Sequence, residues 1–327
     1  MQSIQTTLLI VDDEPANLRV LKQILQDDYR LVFAKSGMEA LRLVDEQRPN
    51  LILLDIMMPD MTGFEVCKKL KAKREFASIP VIFVTALNED TDETQGFEVG
   101  AVDYITKPVS ASVVKVRVRT HLSLVQADEL RATRLQVIQR LGRAAEYKDN
   151  ETGMHVMRMS HFSKVLALAY GFNEAQADML LHAAPMHDVG KIGIPDSIML
   201  KPGKLTTEEF ETMKAHPQIG ADILGEEDSD LISLAKVIAL THHEKWDGSG
   251  YPNALKGEDI PIEGRIIAIA DVFDALTSKR PYKEAWSIED TMAHITNQSG
   301  KHFDPKLVDL LAQNLEEILE IKARFKD

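Results

Sequence analysis

Hydrophobic positions follow two regimes along this chain, and the change falls near residue 141. In the first third, Thr7–Val11, Leu51–Leu54 and Val81–Val84 are short, nearly continuous apolar runs. Segments with helical spacing separate them: Pro15–Leu25, Gly37–Glu46 and Gly63–Lys71. Strands buried on both faces of a parallel sheet read as unbroken apolar runs, with the intervening helices covering the faces. Two further runs, Tyr29–Ala34 and Ala101–Thr106, complete a doubly wound α/β domain with a five-stranded sheet. From Leu141 onward the spacing is mainly helical. It is clearest over Phe162–Tyr170, Glu174–Ala183, Thr207–Ala215, Leu231–Leu240, Gly264–Thr277 and Ser287–Gln298. That pattern predicts an all-α bundle that can hold ligating side chains between its helices.

Between the two regimes, Ser110–Arg140 contains no internal Pro or Gly, and its apolar residues recur at helical spacing. The last helix of the first domain therefore leads into a second helix or continues as one long helix. The domains are placed at 1–122 and 141–327, with a helical connector over 123–140. Apolar positions on such a helix can form a homodimer seam, or pack on their own domain; the repeat is too irregular to choose.

At 327 residues the chain is long enough for two cores. Hydrophobic residues at 44% and charged residues at 27% are globular values, so neither domain needs to be disordered. No apolar stretch approaches a membrane span, and the N-terminal MQSIQTTLLIVDDE lacks the basic start of a secretory signal. The expectation is a protein of the cytoplasm. Cys67 is the only cysteine, which rules out an intrachain disulfide and a cysteine-based metal cluster. A formal charge of -13 argues against DNA as a partner. It leaves a nucleotide substrate open, because metal ions and a few Lys or Arg can reverse the local potential.

Polar residues of the first domain fall where its strands end. Asp12 and Asp13 follow LLIV, Asp55 follows LILL, Thr85 follows VIFV, and Lys107 follows DYIT. Ligands of open parallel sheets sit beyond these carboxyl ends. Three converging carboxylates repel each other unless a hard divalent cation joins them. These residues resemble the receiver domain of two-component response regulators over about residues 5–122. The resemblance implies phosphorylation of Asp55 by a histidine kinase or phosphotransfer protein, with Mg²⁺ held by Asp12, Asp13 and Asp55. It further implies phosphoryl contacts from Thr85 and Lys107, a switch aromatic at Tyr104, and a Lys107–Pro108 peptide that is usually cis.

In the second domain, adjacent His-Asp and His-His pairs stand beside strongly apolar segments, where they are costly to bury unless they hold metal. His187-Asp188 is expected at the end of the helix containing Leu180-Leu181. His216 precedes Pro217, His242-His243 ends the Val237–Leu240 run, and Asp271 lies inside an apolar helix. Glu151 and His155 are four apart and share a face if that segment is helical, although Gly153 weakens the helix and a turn would also bring them together. The imidazole and carboxylate mixture suits Fe, Mn or Zn, and eight such groups are too many for one ion. Asp188 is the candidate for a carboxylate bridging two metals, between which a bridging water or hydroxide would become the nucleophile. The other histidines, among them His121, His161 and His294, read as ordinary core or surface residues. Trp246 reads as packing.

The motifs HDVGKIGIPD, KPGKLT, HPQIG, HHEKWDGSGYP, ADVFDALTSKRPY and FDP resemble the HD-GYP family of the HD phosphohydrolase superfamily over about residues 141–315. The resemblance implies hydrolysis of cyclic di-GMP to linear pGpG and, in some members, to GMP. His155, His187, Asp188, His216, His242, His243 and Asp271 match the family's metal ligands. Glu151 matches the extra acid of members with three metals, so two or three iron ions are implied. Lys191 would face a substrate phosphate or the nucleophile. Arg280 and Lys283 match phosphate-binding positions, and Tyr251 would line the substrate cleft. Two other outcomes stand beside this one: hydrolysis of another cyclic dinucleotide, such as a mixed GMP–AMP ring, and a non-catalytic module that senses such ligands.

Overall fold

The computed structural model describes residues 6–86, 96–148, 153–226, 229–279 and 284–326. Two compact units divide after Ala132. The first carries strands β1 (Thr7–Val11), β2 (Arg30–Ala34), β3 (Leu51–Leu54), β4 (Val81–Thr85) and β5 (Asp103–Thr106). They form one sheet in the order β2-β1-β3-β4-β5, and every pairing is parallel. Side chains alternate faces along each strand. Leu9, Val11, Ile52, Leu54 and Phe83 feed one core, while Leu8, Ile10, Leu51, Leu53 and Ile82 feed the other. Both faces are covered, which is why the strands read as continuous apolar runs. Burying each such side chain contributes about 1.5–3 kcal/mol.

Helices α1 (Pro15–Leu25), α2 (Gly37–Gln47) and α3 (Gly63–Lys71) link the strands. A capping box between Thr62 and Glu65 fixes the start of α3. Cys67, on α3, is buried, and burial pushes its thiol up to about 11. Helix α4 (Ala111–Tyr147) is a single element of 37 residues, so the expected connector is continuous with the helix before it. Its first turns are anchored in the first unit by buried Val114, Val118 and Leu122. Arg117 and His121 also bind the Asp103 carboxylate.

The second unit is all helical among the described residues. Its elements are α5 (Gly153–Tyr170), α6 (Glu174–Ala183), α7 (Asp196–Met199), α8 (Thr207–Met213), α9 (His216–Leu224), α10 (Asp230–Thr241), α11 (Ile262–Thr277), α12 (Ile288–Asn297), α13 (Pro305–Gln313) and α14 (Leu315–Arg324). One core joins all of these but α7 and α8. In it, Phe162 of α5 meets Phe273 of α11 edge to face at 5.7 Å, with Leu180, Ile238, Ile267 and Leu311 around the pair. The spacing of apolar residues did not reveal α13 and α14, which complete this core through Leu307, Leu311 and Ile318. No helix among the described residues is long and apolar enough to cross a membrane.

Candidate metal centre

His187-Asp188 does not end an α-helix, contrary to the sequence reading. Helix α6 stops at Ala183, and single 3-10 turns follow at Ala184–Met186 and Val189–Gly193. Pro185 is the physical reason, since it supplies no amide hydrogen and its ring crowds the preceding turn. The break places His187 and Asp188 between two short turns, from which both side chains enter the core of the bundle. His155 stands in the first turns of α5, so the segment after Gly153 is helical. His216 opens α9 with Pro217 beside it, and α8 ends at Met213 rather than Ala215. His242 follows α10, and Asp271 faces inward from α11.

Seven of the expected ligands gather in two groups. Asp188, His216, His242 and His243 each offer an atom within 4.8 Å of the others, and so do His155, His187 and Asp271. Asp188 lies between the groups. Its Oδ1 stands 3.2 Å from His216 Nε2 and 3.4 Å from His242 Nε2, while its Oδ2 stands 3.2 Å from His187 Nε2. Lys191 Nζ is 2.8 Å from the same Oδ2.

The imidazole protons say what belongs between these atoms. His216 Nδ1 donates to the Met213 carbonyl at 2.7 Å, and His242 Nδ1 donates to the Ile238 and Ala239 carbonyls, both at 3.1 Å. A carbonyl only accepts, so each Nδ1 carries a hydrogen, which in the neutral tautomer leaves the Nε2 lone pair turned inward. Burial pushes the His242 pKa down, which favours the neutral ring. Those lone pairs then face a carboxylate oxygen, and His216 Nε2, His242 Nε2 and Asp188 Oδ1 are buried without a hydrogen-bond partner. Such an arrangement is repulsive without a cation in the middle, and imidazole with carboxylate is a borderline transition-metal donor set. The residues present therefore fit a divalent metal.

Charge states agree with that fit. Burial opposes ionisation of Asp188, yet the Lys191 ammonium and His187 outweigh it and hold the carboxyl well below the usual range. Asp271 is likewise held low, the neighbouring His155 outweighing burial. Burial, reinforced by His242, pushes His243 well below the ordinary imidazole value. The ring of His243 stacks on Tyr251, with centroids 4.7 Å apart. Tyr251 is bound to Pro252 by a cis peptide, and burial raises its phenol above the ordinary range. Lys214 lies 5.9 Å over the Tyr251 ring, which adds a cation to this side of the site. Glu151, Arg280 and Lys283 lie outside the described residues.

Three further polar residues belong to the site's framework and escaped the sequence reading. Buried Glu244 accepts the Asn253 amide at 2.7 Å and the Leu255 amide at 3.0 Å, closing the loop that carries Tyr251. Asp274 and Arg158 form a buried ion pair behind His155. Asp274 could have been found by the argument that picked Asp271, since both are acids inside one apolar helix. Trp246 packs under Arg265, 5.7 Å from ring centroid to guanidinium, as a framework residue would.

The first unit holds a second carboxylate group. Asp12, Asp13 and Asp55 each offer an oxygen within 4.8 Å of the others, at the ends of β1 and β3 where the strand order reverses. Lys107 Nζ bonds Asp12 Oδ2 and Asp55 Oδ2, both at 2.8 Å. Burial raises the Asp55 pKa, with Lys107 opposing. Thr85 is buried at the end of β4. Tyr104, in β5, lies with its ring 5.8 Å from the Arg117 guanidinium. The Lys107–Pro108 peptide is cis.

Comparison with known proteins gives concordant findings. Residues 8–119 match the response regulator receiver domain, and residues 135–307 match an HD domain. The chain is 42% identical to a Vibrio cholerae protein named "Probable cyclic di-GMP phosphodiesterase", over 99% of this chain and 81% of that one. It is 37% identical to the cyclic di-GMP phosphodiesterase response regulator RpfG of Xanthomonas campestris, over 97% of this chain and 90% of the other. A third similarity covers only 61% of this chain and 38% of its counterpart. At 50% identity, it is to the 3'3'-cGAMP-specific phosphodiesterase 2 of Vibrio cholerae.

Proposed function

The chain belongs to the HD-GYP branch of the HD phosphohydrolases, in the form that carries an N-terminal receiver domain, and from that premise we propose that it hydrolyses cyclic di-GMP to linear pGpG under control of phosphorylation at Asp55. The observation that carries the reading is Asp188, placed between two ligand groups with one oxygen toward each. In this reading His216, His242 and His243 serve one metal, and His155, His187 and Asp271 serve another. Asp188 joins them, and Glu151 is available to a third. Iron is the proposed metal, as the family resemblance implies, with manganese or another divalent metal the alternative; the mixed imidazole and carboxylate donors accommodate each.

When bound, such metals supply Lewis acidity and a water of lowered pKa. The chain's own residues do the rest. Asp188, ionised and pinned by Lys191, holds the two ligand groups in register. Lys191 brings an ammonium to the nonbridging phosphate oxygens, where it offsets charge as the diester is attacked. Tyr251, stacked on His243, walls the cleft and excludes water from one side. Arg280 and Lys283 are proposed to grip the substrate's second phosphate.

In the receiver unit, Asp12, Asp13 and Asp55 would hold Mg²⁺. A histidine kinase or phosphotransfer protein would phosphorylate Asp55. The new dianion would draw the Thr85 hydroxyl and the Lys107 ammonium toward it and shift the Tyr104 loop. Exposed apolar residues along α4, among them Val116, Leu130 and Val137, support self-association through that helix. Light scattering with and without beryllofluoride tests that association.

A mixed GMP–AMP ring is the second reading, favoured by the similarity to the 3'3'-cGAMP-specific enzyme. Product chromatography with each cyclic dinucleotide as sole substrate decides between them. A kcat/KM at least tenfold higher for cyclic di-GMP supports the proposal, and the reverse order assigns the chain to the mixed ring.

A further inference from the structure

Histidines of the two ligand groups are aimed in different ways. His187, His216 and His242 each donate Nδ1–H to a backbone carbonyl of their own preceding turn. His155 instead donates Nδ1–H to a side chain, the Asp274 carboxylate, at 2.8 Å. Asp274 lies one helical turn beyond Asp271 on α11 and is fully buried. Arg158, one turn beyond His155 on α5, takes both of its oxygens through a fork, Nε to Oδ1 at 2.7 Å and Nη2 to Oδ2 at 2.9 Å.

The fork is itself held from the far side. Arg158 Nη1 donates to the Phe325 carbonyl at 3.0 Å, just past the end of α14. Ser278 Oγ accepts from Arg158 Nη2 and from Lys322 Nζ, each at 3.1 Å, and donates to Asp274 Oδ2 at 3.3 Å. Elements α5, α11 and α14 thus converge on one carboxylate.

We propose that Asp274 is a positioning residue that fixes His155 as a ligand of one metal subsite, with Arg158 and the end of α14 fixing Asp274. A carboxylate only accepts, so it holds the hydrogen on Nδ1 and turns the Nε2 lone pair toward Asp271, 3.3 Å away. A backbone carbonyl does the same for the other rings, but a carboxylate also raises the donor strength of the imidazole. A buried Arg–Asp pair gains little net stability over apolar packing, because both ions lose their water. Orientation is therefore the better account of why a charged pair stands behind one ligand. Loss of the clamp should weaken the His155–His187–Asp271 subsite and spare the group around His216 and His242.

The inference rests on the paired-metal reading, and Mn²⁺ separates the two. Metal-free full-length protein is titrated anaerobically with Mn²⁺ and followed by electron paramagnetic resonance, where neighbouring ions give an exchange-coupled signal and an isolated ion gives six lines. The wild type should reach the coupled signal at two equivalents. Asp274→Asn should weaken one of the two dissociation constants by about 10- to 100-fold, leave the other within about twofold, and show six lines where the wild type is coupled. Arg158→Lys, which keeps the charge but loses the fork, should weaken the same subsite less, and carries the test if Asp274→Asn does not fold. Thermal unfolding of the metal-free proteins reads the purely structural contribution. Variants that unfold earlier yet keep both constants, or that weaken both sites in parallel, would overturn the inference. A wild type that shows only an isolated ion would remove the paired-metal reading, and this inference with it.

Discussion

Gly190, in the turn between Asp188 and Lys191, tests how tightly the metal site depends on its backbone. A Cβ built there would lie 1.9 Å from the His216 carbonyl oxygen and 2.4 Å from the Gly220 nitrogen. Both are backbone atoms of α9 and its first turn, so no rotamer change can relieve the clash. For Gly190→Ala the two segments must part by roughly 1 Å, an overpacking that costs about 2 kcal/mol. In a unit of this size that lowers the unfolding midpoint by about 4–8 °C. The larger effect falls on metal. His187 and Asp188 stand on one segment and His216 on the other, and metal–ligand distances tolerate only about 0.2 Å. A 1 Å separation should therefore weaken binding at the Asp188–His216 group by at least 10-fold, comparable to losing a supporting residue. Calorimetric titration of the metal-free protein with Mn²⁺, alongside thermal unfolding in chelator, reads both quantities. A Gly190→Ala protein with wild-type affinity and midpoint would refute the reasoning.

Three other outcomes are expected. Lys148 Nζ donates to the Ile192 and Ile194 carbonyls at 2.7 Å each, at the C-terminal end of the turn that carries Lys191; Lys148→Met should lower kcat/KM by about 3- to 10-fold with metal content unchanged, and an unaltered kcat/KM would contradict this. Glu244→Ala strands the amides of Asn253 and Leu255, at a cost of about 1–3 kcal/mol; steady-state kinetics should show KM rising more than kcat falls, and an unchanged KM would mean the Tyr251 loop does not need that anchor. Acid should weaken the metal-free second unit. Burial pushes His302 down to about 4 and lowers His242 and His243, so between the unfolded imidazole value of about 6.5 and the folded values the unfolded chain binds more protons. Stability is therefore full above that window and falls as pH drops through it; equal urea midpoints at pH 7.5 and 5.5 in chelator would contradict the sign.

Most of the first unit was legible because strands buried on both faces leave unbroken apolar runs, and the polar residues that close them mark the site end of the sheet. Asp12, Asp55 and Lys107 meet as their positions at strand ends predicted. Helical spacing marks the later part of α5 together with α6, α8, α10, α11 and α12, but not α7, α9, α13 or α14. Local chemistry was harder to foresee. Leu180-Leu181 dominate the local pattern and suggest a helix running to His187, whereas Pro185 breaks it. Asp274, an acid inside an apolar helix, carries the same mark as Asp271, but Arg158 and Glu244 carry none, because their roles lie in contacts across the fold: Arg158 reaches Asp274 over 116 positions, and Glu244 reaches its loop partners 9 and 11 positions away. Spacing reports which residues share a face of one element, and those contacts join different elements.

If Asp188 unites two metal subsites in a phosphodiesterase centre, its loss costs the chain both metal and turnover. Anaerobic purification with metal analysis, coupled to chromatography of cyclic di-GMP products for the wild type and Asp188→Ala, tests it most directly. At least two metals per wild-type chain and linear pGpG formation are expected, with metal content and turnover both collapsing in Asp188→Ala. Turnover that survives in Asp188→Ala, or in wild-type protein stripped of metal, would contradict it.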